Sequence, residues 1–196
     1  MQIKLADGFG KKMQAAIDKM AGNLGNATSV EIGWNREATY GADKGGLHVA
    51  QVAAINEYGG TIKIPEHQVR VYRQVDKSGE FARFGKFVKR SASNFETTHT
   101  VPEHTVTVPA RPFFRGMIAE EKPYLSSDMG HALREADFNM RNALGLIGEE
   151  MTGKLQQAII EFDTPANAPS TVARKGFDDP LVESGVMLRT ANYTVK

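Results

Sequence analysis

The sequence predicts an α+β fold. It would be a small, mainly antiparallel sheet packed with helices, one of them long and in the C-terminal half, plus a protruding β-ribbon or extended arm. Three observations predict it. Apolar residues recur at helical spacing from Phe138 through Leu144, Ile147, Met151, Leu155 and Ile159 to Phe162. Strand-like runs stand near the two ends, at Val30–Trp34 and Ala191–Val195. Between them, residues 66–100 alternate charged, aromatic and β-branched side chains without settling into the helical period. A chain of 196 residues suits one domain, 1–196, with 66–100 inserted as a basic arm.

The first element is an amphipathic helix. Phe9, Met13, Ile17, Met20 and Leu24 share a face, and Gly22 and Gly25 mark its end. Val30, Ile32 and Trp34 then share one face of a strand, with Glu31 and Gly33 on the other. Tyr40 to Gly46 is a glycine-rich loop. It lacks the Gly-Lys-Ser/Thr ending of a phosphate cradle, so it reads as a connection. Leu47 to Tyr58 reads as a second helix, ended by Gly59-Gly60, and Thr61 to Pro65 as the start of an extended segment.

Gln68 to Val75 alternates as a strand, and Asp76-Lys-Ser-Gly79 is a turn signal. Phe81, Phe84 and Phe87 follow, interleaved with Arg83, Lys86, Lys89 and Arg90, and Ser91 to Thr100 reads as a polar loop. Residues 66–95 hold seven Lys/Arg against three acids, so the arm is locally +4 in a chain of net charge +1. An isolated two-stranded ribbon is marginal in water, and such an arm gains order from a partner.

Val101 to Met117 is a strand-to-helix corner. Thr105 to Val108 is a short β-branched strand. Pro109 and Pro112 stop any ladder, and Pro112 suits the first turn of the next helix. Phe113, Phe114, Met117 and Ile118 give that helix its apolar face. Arg111 and Arg115 flank the two phenylalanines, a composition found at the centre of interfaces and equally in a core corner with solvated arginines.

Glu120-Glu-Lys-Pro123 reads as another helix start. The long helix runs from Asp137 to Phe162 in about six turns. Its Gly145, Gly148 and Gly153 each cost about 1 kcal/mol against alanine, which points to a bend or to close approach of another backbone. The tail from Pro165 reads as extended at first. Ser184 then caps a one-turn helix through Leu188, and a last strand pairs with Val30–Trp34. Ile62 and Thr105–Val108 are placed in the same small sheet.

Composition excludes several chemistries. There are no cysteines, hence no disulfides, zinc–thiolate sites or cysteine nucleophiles. No window reaches the roughly 18 apolar residues of a membrane span, and Met1 to Gly8 has no signal-peptide run. A soluble protein made in the cytoplasm, without membrane partners, is expected. His99 and His104 flank Glu103 but lack a third ligand, and Asp178-Asp179 reads as a solvated turn. No catalytic residue, metal site or cofactor site is read, and no enzymatic activity is expected.

Four sets of segments carry a resemblance. They are Ile55-Asn-Glu-Tyr-Gly-Gly-Thr-Ile62; Gly85-Lys-Phe-Val-Lys89 with Ser93-Asn-Phe95; His104-Thr-Val-Thr-Val-Pro-Ala-Arg-Pro-Phe-Phe114; and Pro169-Ser-Thr-Val-Ala-Arg-Lys-Gly176 with Pro180-Leu-Val-Glu-Ser-Gly185. In this order they resemble a neck and tail-completion family of tailed bacteriophages, similar to lambda-type minor tail protein Z and to phage virion morphogenesis proteins. The resemblance covers residues 47–195. Where many relatives carry Thr-Gly after Pro-Leu, this chain has Glu183-Ser184-Gly185.

The resemblance implies a structural virion protein at the head–tail junction or the top of the tail, assembled in the host cytoplasm as a homo-oligomeric ring. Its partners would be further copies of itself and neighbouring neck or tail proteins. Candidate subunit or ring contacts are Arg111, Phe113, Phe114 and Arg115 at the corner, with Arg70, Tyr72, Phe81, Phe84 and Phe87 on the arm. Arg83, Lys86, Lys89 and Arg90 are candidate contacts to an acidic partner or to genomic DNA in the channel. The alternatives are a tail terminator-type ring protein and a non-specific DNA-binding module that uses the basic, aromatic arm.

Overall fold

The computed structural model describes residues 9–42, 45–82 and 86–196. Arg83, Phe84 and Gly85 lie outside the described residues, as do Asp43, Lys44 and the stretch Met1 to Gly8. The protein is α+β, with seven helices and six strands among the described residues. It divides into two compact units, Met1–Gly59 with Pro109–Lys196, and Gly60–Val108.

Among the described residues the first unit holds the seven α-helices, and the second a 3-10 turn at Arg90–Ala92. The α-helices are α1 (Phe9–Leu24), α2 (Val49–Tyr58), α3 (Phe113–Glu121), α4 (Leu125–Glu135), α5 (Met140–Glu161), α6 (Pro169–Lys175) and α7 (Val186–Arg189). Strands β1 (Val30–Trp34) and β6 (Ala191–Val195) pair antiparallel in the expected partnership, with Ile32 opposite Tyr193. The core is built on α5, whose Ala143, Leu144, Ile147, Met151, Leu155 and Ile159 recur at three and four and are all buried. Val49 and Ala53 of α2, Phe113 and Met117 of α3, Ala132 of α4 and Met187 of α7 close over them. Each such Leu or Ile contributes about 1.5–3 kcal/mol of transfer free energy.

Several expected boundaries move, each for a local reason. Helix α5 begins at Met140, not Asp137. Asp137 and Phe138 take positive φ values of 49° and 60°, and Asn139 caps the helix by accepting from the Asn142 N–H at 3.1 Å. Helix α2 begins at Val49 because His48 is held in a bridge to Thr39. Glu120 and Glu121 end a helix instead of starting one. The first part of the tail is helical, not extended: Pro169 sits at the start of α6, where a missing N–H costs nothing, and Gly176 caps its end at φ 84°. Ser184 makes no side-chain cap. Gly185, left-handed at φ 69°, stands at that position.

The second unit is a two-stranded ribbon in two segments. Strands β2 (Gly60–Ile64) and β5 (His104–Val108) form one antiparallel ladder, and β3 (His67–Arg73) and β4 (Phe95–Val101) form another. Pro65-Glu66 and Pro102-Glu103 interrupt them together, since neither proline can donate to a ladder. The expected single sheet is therefore three separate two-stranded sheets, and Ile62 and Thr105–Val108 belong to the ribbon. The expected polar loop from Ser91 to Thr100 is half strand: β3 pairs with β4, while Phe81 keeps a lone bridge to Val75.

Candidate functional site

The residues of the strand-to-helix corner meet the end of α2. Glu57 lies in the last turn of α2 and is 5% exposed. Its carboxylate accepts the backbone N–H groups of Phe114 at 2.9 Å and Arg115 at 3.1 Å. Those are orphan donors of the first turn of α3, so Glu57 caps that helix from another element and places a negative charge at its positive end. Arg115 Nε donates to the same carboxylate at 2.7 Å, and its Nη2 donates to the Glu57 carbonyl at 3.1 Å. The Arg115 guanidinium lies 4.8 Å from the centre of the exposed Tyr58 ring.

Arg111 turns the other way and is buried, at 6% exposure. Its Nη1 donates to Asn56 Oδ1 at 2.9 Å and its Nε to the Pro165 carbonyl at 3.4 Å, while its own N–H bonds the Asn56 carbonyl at 2.7 Å. Burial pulls the Arg111 guanidinium below its ordinary value, and the charge of Asp178 pulls it partly back. Phe113 is buried and edge-on to Trp34, with ring centres 6.4 Å apart. Phe114 is half-buried against the same Trp34, whose Nε1 donates to the Met187 carbonyl at 2.8 Å.

A cavity of about 290 Å³ lies beside Asn56, lined also by Tyr40, Lys175, Leu181, Ser184 and Met187. Burial, and then the charge of Glu183, push the Tyr40 hydroxyl up. Lys175 donates to the Asp179 carbonyl. Asp178 accepts from the Asn167 N–H and side-chain amide, both at 3.0 Å, and Asp179 from the Val182 N–H at 3.1 Å. These acids therefore hold loops. Among the described residues no three His, Cys, Asp or Glu side chains are grouped to hold a metal ion. None of the helices there is long and apolar enough to cross a membrane.

The ribbon candidates gather around Arg73. Its guanidinium stands over Phe81 at 5.2 Å and Phe87 at 5.3 Å, and Phe81 meets Phe95 edge-on at 5.5 Å. Phe81 and Phe87 still expose 44% and 69% of their surfaces. Arg70 pairs with Glu96 across the strands at 3.5 Å, and Tyr72 is half-buried. Lys86, Lys89 and Arg90 are exposed. The tip is tied by Asn94, which bonds both backbone groups of Val75 at 2.7 and 2.6 Å. The Asp76 carboxylate is held below its usual range by hydrogen bonds, first from the Ser78 hydroxyl and then from the Glu80 and Ser78 N–H groups.

Sequence reading singled out the corner arginines and phenylalanines. It left Glu57 and Asn56 without a role, although both stand in the quoted Asn-Glu-Tyr-Gly segment. A carboxylate just before a helix-ending double glycine was the available signal. It also passed over the repeated tripeptide Pro-Glu-His, at 65–67 and 102–104, which marks the break in the ribbon.

Fold and site together define an α+β protein in which one helix-end carboxylate fastens the proline-flanked start of another helix, next to both points where the chain passes into the ribbon unit. Compared with protein-family models, curated proteins and solved structures, the chain has no match.

Proposed function

We propose that this chain is a structural, non-enzymatic protein of a tailed-bacteriophage virion, acting at the head–tail junction or the top of the tail as one subunit of a homo-oligomeric ring. The observation that carries the reading is the ribbon. Among the described residues its strands form ladders only two by two, so each keeps an edge without a partner strand, that of β3 met at Tyr72 by the Val88 N–H at 2.9 Å, and its apolar side chains Ile62, Val69 and Val106 are exposed. A two-stranded ribbon has little stability of its own, and an open edge is a template for another chain. The cations Lys86, Lys89 and Arg90 add attraction for an acidic neighbour.

The segments behind the phage resemblance support the same reading. Asn56-Glu57-Tyr58 and Arg111 to Arg115 interlock, and Arg111 reaches on to Pro165. Within the helical unit this network joins the end of α2, the start of α3 and the segment after α5. In the ring, the ribbon of each subunit grips the next subunit or an adjoining ring.

The test is a phage carrying this protein with residues 66–100 replaced by a two-residue turn. Filled heads and finished tails are expected to accumulate unjoined. Joined particles at normal yield would sink the reading.

A further inference from the structure

We infer that His67 and His104 form a binding site for a divalent transition-metal ion, Zn²⁺ or Ni²⁺, that clamps the ribbon at the break between its two ladders.

The two histidines occupy equivalent places. Each ends a Pro-Glu-His tripeptide, one on each strand, at the point where both ladders stop. The register sets Ile64 opposite His104 on one side of the break and His67 opposite Val101 on the other. The imidazoles therefore meet diagonally across it, with ring centres 6.2 Å apart and planes at 40°.

Their tautomers are fixed in the same sense. His67 Nδ1 lies 3.0 Å from the Pro65 carbonyl, and His104 Nδ1 lies 3.0 Å from the Pro102 carbonyl. A carbonyl oxygen can only accept, so each Nδ1 carries the proton. In the neutral ring that leaves the lone pair on Nε2. An Nδ1–H bond to a backbone carbonyl is also the interaction that orients metal-bound histidines and sharpens their basicity.

The spacing suits a shared ion. With Zn–N bonds of about 2.0–2.1 Å, two imidazoles on a tetrahedral ion have ring centres roughly 5 Å apart. Rotation of two exposed side chains closes the difference. Two nitrogen ligands select zinc, nickel or copper over magnesium and calcium, which take oxygen. Glu103 is engaged by Lys63 at 2.9 Å. With no third protein ligand grouped there among the described residues, the remaining positions fall to water or to another molecule. The other histidines of known surroundings are placed differently: His99 Nε2 is engaged by the Thr97 hydroxyl at 2.9 Å, and His48 bonds the Arg36 carbonyl in the helical unit. An ion held by both strands ties the ribbon together where Pro65 and Pro102 leave it without ladder hydrogen bonds. This role goes beyond the proposed place in the virion and does not depend on it.

The experiment is calorimetric titration of the full chain with ZnCl₂ and NiCl₂, with MgCl₂ as the control. Hydrogen exchange is followed in parallel on segments 61–69 and 99–106. One transition-metal ion per chain is expected, with no magnesium binding and slowed exchange in both segments. His67→Ala and His104→Ala should each weaken binding at least tenfold and abolish the slowing, while His99→Ala should change neither. These side chains are exposed, so the variants should fold, as checked by circular dichroism. The inference is overturned by an absence of binding, by binding that survives both single variants, or by an equal loss in His99→Ala.

Discussion

At Glu57 a single carboxylate accepts two backbone N–H groups and one guanidinium N–H, and it does so while almost wholly buried. The two kinds of partner are worth different amounts. The Arg115 side chain is 55% exposed, so its ion pair is screened by water and counts for at most about 1 kcal/mol. The backbone donors belong to the start of α3, where loss of a cap costs about 0.5–2 kcal/mol. Arg111 differs again, because removing it leaves a hole and strips Asn56 and the Pro165 carbonyl of a buried donor. Stranding those buried acceptors costs about 1–3 kcal/mol, and the cavity left by the side chain adds to it. Denaturant unfolding should therefore rank the losses Arg111→Ala, then Glu57→Gln at about 1–3 kcal/mol, then Arg115→Ala at under about 1 kcal/mol. If Arg115→Ala proves as costly as Glu57→Gln, the ion pair and not the cap holds the corner.

At the scale of elements, α5 shows why three glycines in one helix are not equivalent. A methyl group at Gly148 would stand 2.4 Å from Tyr193 Cδ2, 2.6 Å from its Cγ and 2.9 Å from Val30 Cγ2. Close approach is thus the right reason for Gly148, but the neighbours are side chains of β6 and β1, not another backbone. At Gly145 the nearest atom is the Tyr193 hydroxyl, at an ordinary contact distance of 4.0 Å, and at Gly153 nothing lies within 4 Å. Gly153→Ala should stabilise the protein by up to about 1 kcal/mol through helix propensity alone. Gly148→Ala should destabilise it by about 1–3 kcal/mol, because Tyr193 must move at its ring root. Thermal unfolding of the two variants reads the opposite signs directly; equal signs would mean that the β1–β6 pair does not sit on α5 through Gly148.

The same elements show what the amino-acid sequence could reveal. Helix α5 and the β1–β6 pair were legible because their apolar spacing is long and unbroken, and because the two strands have few other partners. The pairing of β3 with β4 was not. Phe95–Val101 reads Phe-Glu-Thr-Thr-His-Thr-Val, and its polar side chains resemble a loop because both faces of a ribbon meet solvent. Helix α6 was hidden by its small residues and its leading Pro169, which look extended until a helix start is considered. At the corner, Arg111 and Arg115 could be seen as a pair, yet only burial separates a core arginine from a half-exposed one.

At the scale of the whole molecule, the chain concentrates its core in one of its two units. Among the described residues, every member of the buried cluster, from Val49 to Ala191, belongs to the helical unit, and none comes from Gly60–Val108. The ribbon's own ties are ladder hydrogen bonds, the Arg73 aromatic group and the Asn94 clasp, all internal to it. Its end residues Gly60 and Val108 are opposite one another in the β2–β5 ladder, so a short turn can join Gly59 to Pro109 without stretching the chain. Replacing residues 60–108 by a Gly-Ser-rich turn should therefore leave a protein that unfolds cooperatively, with the Glu57 cap on α3 intact. Its stability should differ from that of the full chain by no more than about 2 kcal/mol, since a lone ribbon adds little. If ring assembly uses the ribbon, the shortened protein should stay monomeric by light scattering at concentrations where the full chain associates. Unfolding of the shortened protein would show that the helical unit needs the ribbon to fold. A folded but still associating protein would move the ring contact to the helical unit, and the Tyr58 and Phe114 surface beside the corner would then be the first place to mutate.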